Sequence, residues 1–194
     1  GTYSYIFGME ESYGCLAGTY ARDKDACVAV MLLCEVAAYY KRQDKTLWDA
    51  MLELYGEYGF YQEDLSTVTL KGIDGAEKIR ARMRDLRKYP PQRLGGYQVL
   101  AVRDYQTGSR EDLRTGAVKE TGLPGSDVLY YELEEDAWCC IRPSGTEPKI
   151  KYYLGVKGDS LKDARARAEN LKKDLLKGLT TPSSGGKRYG YQQI

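Results

Sequence analysis

A guanidinium, two hydroxyls and a glycine fall close together in the stretch Arg142-Pro143-Ser144-Gly145-Thr146-Glu147-Pro148. A phosphate dianion needs donors converging from several directions. Arg142 offers a planar fork that suits two phosphate oxygens at once. Ser144 and Thr146 add hydroxyl donors, and Gly145 lets the backbone turn its amides inward as an anion nest does. Pro143 and Pro148 stiffen both ends, which lowers the ordering cost of binding. The same spacing also fits a tight strand-to-strand turn with an incidental arginine. Lys149 and Lys151, two residues apart, project from one face of the strand that leaves the loop, and one of them is placed to reach the same phosphate.

Two further stretches carry polar chemistry. Gly8-Met9-Glu10-Glu11-Ser12-Tyr13-Gly14 sets carboxylates and a hydroxyl on a glycine-flanked loop, groups that accept from and donate to vicinal sugar hydroxyls. Arg22-Asp23-Lys24-Asp25 precedes a long apolar run. Asp25 suits a helix N-terminus, where the dipole favours an anion. Alternatively, Lys24 is a general acid or base, its pKa lowered by nearby cations and burial. The basic run Lys78, Arg80, Arg82, Arg84, Arg87, Lys88 and Arg93 contains only Asp85 as an acid. With no aromatic platform interleaved, it reads as a solvated helix face rather than a nucleic-acid surface.

The elements that must position these residues follow from periodicity. Tyr3–Phe7 reads as a strand and Gly8–Gly18 as a loop. A helix from about Lys24 to Arg42 is apolar on most faces and should be largely buried. Thr46 suits the N-cap of a second helix bearing Leu47, Met51, Leu54, Tyr55 and Tyr58. The pattern changes near Gly59. Beyond it come a strand at Leu65–Leu70 and a helix carrying Ala76, Ile79, Met83 and Leu86, stopped by Pro90-Pro91. A strand at Val99–Tyr105 and a polar, irregular stretch at Gln106–Gly125 come next. Asp127–Leu133 and Ala137–Ile141 form a hairpin, followed by a strand at Lys149–Val156. A helix with its stripe at Leu161, Ala164, Ala168, Leu171 and Leu175 closes the unit. The expected architecture is an α/β fragment (residues 1–59), then an α+β domain (residues 60–178) whose mainly antiparallel sheet is covered by helices. Residues 179–194 read as a flexible tail.

Composition excludes several classes. Hydrophobic residues at 42% and charged residues at 29% indicate a globular chain rather than a disordered one. A net charge of +1 gives no global field for nucleic acid or an anionic membrane. No apolar run approaches the ~20 residues of a membrane span, since the longest, Ala26–Tyr40, is broken by Glu35. The absence of histidine removes Ser-His triads and most zinc sites. No Gly-x-Gly-x-x-Gly or Walker loop occurs, which argues against dinucleotide or ATP sites. The five cysteines contain no Cys-x-x-Cys pair and read as reduced, so a cytoplasmic location is expected. A chain that opens at Gly1 and runs straight into Tyr3–Phe7 reads as a piece of something longer.

The three polar stretches, in this order and separation, resemble the α-D-phosphohexomutase superfamily of phosphoglucomutases and phosphomannomutases. Arg142–Pro148 is similar to its phosphate-binding loop and Gly8–Gly14 to its sugar-binding loop. Arg22–Asp25 resembles the short basic motif that follows the sugar loop. The resemblance spans about residues 3 to 177. It implies the end of the third of four domains around a deep cleft, then the fourth, whose fold is similar to the TATA-box-binding protein. That likeness concerns fold and does not imply DNA binding. Arg142, Ser144, Gly145, Thr146 and Lys151 would grip the phosphate that is not reacting. Glu10, Ser12 and Arg22 would hold the sugar, and Lys24 would be the acid/base.

The implied reaction interconverts hexose 1-phosphate and 6-phosphate through a phosphoserine and a bisphosphorylated sugar such as glucose 1,6-bisphosphate, supported by Mg²⁺. This chain contains neither the Ser-His-Asn nucleophile loop nor the Asp-x-Asp-x-Asp metal loop of the intact enzymes. The expectation is therefore a ligand-gripping fragment, inactive alone and without a specific Mg²⁺ site. Its partners would be the hexose phosphate and the N-terminal domains of the same polypeptide, with no nucleic acid and no membrane. A phosphopentomutase of the same superfamily, a stand-alone phosphosugar-binding module and a basic interaction domain are the alternatives.

Overall fold

The computed structural model describes residues 3–10, 14–70, 72 and 74–180. The chain divides into two compact units between Tyr58 and Gly59. The first unit opens not with a strand at Tyr3–Phe7 but with an antiparallel hairpin, β1 (Phe7–Glu10) and β2 (Gly14–Ala17), paired from Phe7↔Ala17 to Glu10↔Gly14. Tyr3 to Ile6 lie outside regular structure and are exposed. The glycine that reads as a loop signal has another use. A Cβ on Gly8 would meet the Tyr5 hydroxyl at 2.4 Å, and that hydroxyl donates to the Leu16 carbonyl at 3.1 Å. Gly8 thus admits a ring across the ribbon.

Helix α1 (Ala26–Lys41) follows, then α2 (Leu47–Tyr58). Asp25 caps α1, accepting from the amides of Cys27 at 2.8 Å and Val28 at 3.2 Å. Thr46 and Asp49 cap α2 reciprocally: the Asp49 amide donates to Thr46 Oγ1 at 3.1 Å, and the Thr46 amide to Asp49 Oδ2 at 2.8 Å. The expected burial of α1 is not met, for the helix has no buried residue and Val30, Met31, Leu33 and Val36 are exposed. Its apolar side chains run round the helix instead of forming one stripe. Among the described residues of the first unit, the hairpin and α2 are the regular elements at hand to cover them.

The second unit is built on β3 (Phe60–Thr69), α3 (Gly75–Lys88), β4 (Arg93–Leu94), β5 (Tyr97–Asp104), β6 (Ser109–Asp112), β7 (Val118–Glu120), β8 (Leu129–Leu133), β9 (Trp138–Pro143), β10 (Lys149–Gly158) and α4 (Leu161–Thr180). The sheet runs β3-β10-β9-β8-β5-β6-β7, antiparallel at every step, with β4 paired to β5. The stretch expected to be irregular, Gln106–Gly125, therefore contributes two strands. Both are short and polar, so no apolar alternation marks them.

Strict alternation divides the sheet faces. Leu129, Tyr131, Leu133, Cys139, Ile141, Ile150, Tyr152, Leu154 and Val156 are buried on one. They pack with Ile79, Met83 and Leu86 of α3 and Ala168, Leu171 and Leu175 of α4. Gly75, not Ala76, starts the buried stripe of α3, because a Cβ at 75 would strike the Leu70 carbonyl. The opposite face carries Tyr130, Trp138, Cys140, Arg142, Tyr153 and a charged cluster. There Glu132 accepts from Arg103 at 2.6 Å and from Arg110 at 2.6 Å. The Trp138 ring stacks on Tyr130, 5.6 Å between centroids, and fills the space beside Gly155. Cys139 lies in the core and Cys140 on the open face, and all five cysteines are free. Among the described residues no helix is long and apolar enough to cross a membrane.

Two substitutions probe this framework. Gly95 has φ +59°, and a Cβ there would lie 2.6 Å from Leu171 Cα in α4. Gly95→Ala combines left-handed strain with a backbone clash and should cost about 2 kcal/mol; an unchanged urea midpoint would contradict this packing. The second concerns acid. The Arg110 hydrogen bond, opposed by burial and helped by Arg103, lowers the Glu132 pKa from 4.5 to about 2. A carboxylate depressed in the folded state adds stability above its unfolded value and loses it as pH falls from about 4.5 to about 2. After allowance for partial exposure the contribution is about 2 kcal/mol. Glu132→Gln should flatten the acid limb of the stability–pH curve over that window, and an unaltered limb would refute the assignment.

Candidate phosphate and sugar site

The phosphate-loop residues join β9 to β10 with little slack. The Ser144 amide donates to the Lys149 carbonyl at 2.8 Å, the Lys149 amide to the Glu147 carbonyl at 2.7 Å, and the Leu70 amide to the Pro148 carbonyl at 2.9 Å. Inside the turn the amides of Thr146 and Glu147 point inward at Ser144 Oγ, at 3.4 and 3.3 Å. The hydroxyl proton of Ser144 is left to donate outward. Gly145 is not in the left-handed region, and a Cβ there would meet no atom within 4 Å. Its lack of a side chain instead leaves open room for a ligand against the backbone.

The register of β9 and β10 sets Arg142 directly opposite Lys151. Both side chains are exposed on the open face. Neither has a carboxylate within ion-pair distance among the described residues, whereas Lys149 is tied to Glu147 at 3.0 Å. Like charges facing each other across an antiparallel pair are destabilising on their own. Two such cations at the mouth of an inward-pointing loop are a place where an anion relieves the repulsion. The tie at Lys149 also separates two lysines that spacing alone could not tell apart.

In the first unit the hairpin brings two of the sequence stretches together. Glu10 ends β1 opposite Gly14, and Ser12 lies outside the described residues. A Cβ on Gly14, whose φ is +146°, would sit 3.5 Å from Lys24 Cβ, so the lysine stem runs alongside the base of the hairpin tip. The Asp25 amide donates to the Cys15 carbonyl at 2.9 Å and pins Lys24 there. The reading of Lys24 as acid/base drew on neighbouring cations. One neighbour is Asp23, its carboxylate 3.0 Å from Lys24 Nζ and its pKa lowered by hydrogen bonds from the Lys24 amide and ammonium. Arg22 is exposed beside this pair.

Tyr20 was not legible as part of this region. Its hydroxyl donates to Asp25 at 2.6 Å, a bond that raises the tyrosine to about 12 and lowers the aspartate. No motif marks it, and only the folded loop brings it to the cap. Three arginines of the basic run are committed to ion pairs. Arg80 and Arg84 meet Glu77, and Arg87 meets Asp104 and Asp127.

Residues 2–58 match the family described as phosphoglucomutase/phosphomannomutase, alpha/beta/alpha domain III. The chain is 37% identical over 159 residues to a phosphoglucomutase of Staphylococcus haemolyticus, covering 82% of this chain and 29% of that protein. A phosphoglucomutase of Staphylococcus aureus (strain bovine RF122 / ET3-1) is 39% identical over 158 residues, covering 81% of this chain and 28% of the relative. One of Staphylococcus epidermidis is 36% identical over 156 residues, with coverages of 80% and 28%. An α/β segment, the following antiparallel sheet domain and these matches together place the chain in the phosphohexomutase superfamily, as part of its C-terminal region. It spans less than a third of the length of the curated relatives it matches.

The opposed cations generate a test. In phosphate-free buffer Lys151→Glu should raise stability by about 0.5 kcal/mol by turning a repulsive cross-strand pair into an attractive one. The same variant should lose the thermal stabilisation that phosphate gives the parent chain. Melting curves with and without phosphate decide it, and a destabilised variant that still responds to phosphate would sink the reading.

Proposed function

We propose that this chain supplies sugar and distal-phosphate binding to a phosphosugar mutase that interconverts hexose 1-phosphate and 6-phosphate. The observation that carries this reading is the Arg142–Lys151 pair, two cations facing each other at the Ser144–Thr146 turn with no carboxylate in ion-pair distance among the described residues. A phosphate there would accept a bidentate fork from Arg142, a proton from Ser144, a second from Thr146 and the charge of Lys151. Gly145 would let it approach the backbone. Gripping the phosphate that does not react orients the other end of the sugar, so that binding energy is spent on positioning. Glu10, Ser12 and Arg22 would hold the sugar hydroxyls, and Lys24, at the base of the hairpin, would move a proton at the reacting oxygen.

The phosphoserine that exchanges its group with the sugar belongs to no residue of this proposal. Its loop, like the aspartate-rich loop for Mg²⁺, would be supplied by the N-terminal domains of the intact protein. Among the described residues no three His, Cys, Asp or Glu side chains converge to hold a metal. In this reading the chain alone is inactive, because the serine and aspartate loops are not in its sequence. A bisphosphorylated sugar such as glucose 1,6-bisphosphate is the natural ligand for it, and a cytoplasmic setting suits that metabolite. The loop recognises only the phosphate, so a pentose phosphate substrate, or a stand-alone phosphosugar-binding role, would use the same residues.

Titration with glucose 1,6-bisphosphate tests the site. Arg142→Ala removes a charge-assisted fork and should weaken binding roughly 10- to 100-fold; equal affinity in the two chains rejects the role of Arg142. Turnover of glucose 1-phosphate by the chain alone would overturn the reading that it lacks the catalytic half.

A further inference from the structure

The sheet of the second unit ends in two edges that are built differently. One is β7, three residues long and carrying Lys119. Short length and a lysine are devices that keep an edge from pairing with another chain. The other edge is β3, which has neither. It runs for ten residues without proline, lysine or arginine, and its register with β10 is unbroken from Phe60↔Gly158 to Thr69↔Lys149. One bond fixes which backbone groups face outward. The Leu70 amide donates to the Pro148 carbonyl, so the even-numbered residues of β3 spend their amides and carbonyls on β10. Those of Tyr61, Glu63, Leu65, Thr67 and Thr69 point away from the sheet. Among the described residues no backbone group pairs with them. The Glu63 carbonyl accepts from the Gln62 side chain at 2.8 Å, which leaves it a second lone pair. The side chains of these five residues are exposed, Leu65 to 41%.

An edge in this state is completed by another extended strand, and the residues of β3 suit a second β3. Two copies pairing antiparallel about a two-fold axis must match odd residues to odd residues. Centred on Glu63 or Asp64, that pairing sets a carboxylate against its own copy, which repels. Centred on Ser66, it sets Asp64 against the aliphatic Val68. Centred on Leu65, it sets Glu63 opposite Thr67 and Asp64 opposite Ser66, so each carboxylate meets a hydroxyl. Tyr61 then falls opposite Thr69, and the two Leu65 side chains meet on the open face. We infer that this chain self-associates by joining β3 to the β3 of a second copy about a two-fold axis at Leu65, which makes one continuous sheet across both molecules. The contact is confined to two strands and is smaller than a standard interface, so association in about the micromolar range is expected. No residue of the Arg142–Pro148 loop takes part, and the inference stands apart from the phosphate reading.

The test is sedimentation equilibrium of the 194-residue chain over a range of concentrations, where a monomer–dimer equilibrium is expected. Leu65→Asp and Leu65→Lys each place like charges opposite one another on the axis and should weaken association roughly tenfold. An equimolar mixture of the two variants should associate again, because unlike charges then face each other. That recovery occurs only in the register in which residue 65 meets its own copy. A second measurement needs no variant. A mixture of chains with ¹³C-labelled leucine and unlabelled chains should give an intermolecular NOE between Leu65 methyl groups, and this decides the matter if a charged variant does not fold. The proposal is overturned if the parent chain is a monomer at every concentration up to its solubility limit. It is equally overturned by a dimer that Leu65→Asp leaves unchanged, which would place association on another surface such as the exposed side of α1, by variants that fail to associate when mixed, or by absence of the Leu65 NOE in a dimer.

Discussion

Antiparallel pairing between β9 and β10 is the constraint on which the second unit depends. One register does three things at once. It places Ile150, Tyr152 and Leu154 beside Ile141 and Cys139 in the core. It closes the Arg142–Pro148 turn at a fixed length. It also sets Arg142 against Lys151 on the other face. A slip of one residue would exchange the faces, burying two cations and exposing the tyrosine and aliphatic row. The core and the candidate anion site are therefore coupled through the backbone, and the apolar face is what holds two like-charged side chains opposite each other.

The two units use their apolar residues in opposite ways. In the second, alternation along the strands and single stripes on α3 and α4 give one core. In the first, α1 is apolar around its circumference yet fully buries none of its residues. Its order rests on local devices instead: the Asp25 cap with its Tyr20 bond, the Cys15–Asp25 bridge and the reciprocal Thr46–Asp49 cap of the next helix. Such contacts stabilise ends and turns but bury little surface.

Much of this was legible in the sequence where a period was long enough to read. The stripe Leu161–Leu175, the strands either side of Glu134-Glu135-Asp136 and the turn at Arg142–Pro148 all declare themselves. What was hidden depended on partners far apart in the chain. β6 and β7 are too short and polar to show alternation, and only pairing with β5 makes them strands. The hairpin of the first unit was hidden behind Gly8, whose glycine answers to a Tyr5 contact rather than to a loop. The residue types of the site were visible, but the opposition of Arg142 and Lys151 was not, because it is a property of register. Nor could spacing separate Lys149 from Lys151, since both project from one face until Glu147 claims the first.

The position of the two tryptophans has a practical consequence. Trp48 lies on α2 in the first unit and is 54% exposed. Trp138 lies in the second, stacked on Tyr130 and pressed over Gly155. Each unit thus carries its own fluorophore in a different environment, one wet and one screened. Quenching by a soluble ion would fall first on Trp48, leaving emission that reports the sheet alone. The chain is in this sense labelled by its own sequence, and the melting of its two halves is open to separate observation without any added probe.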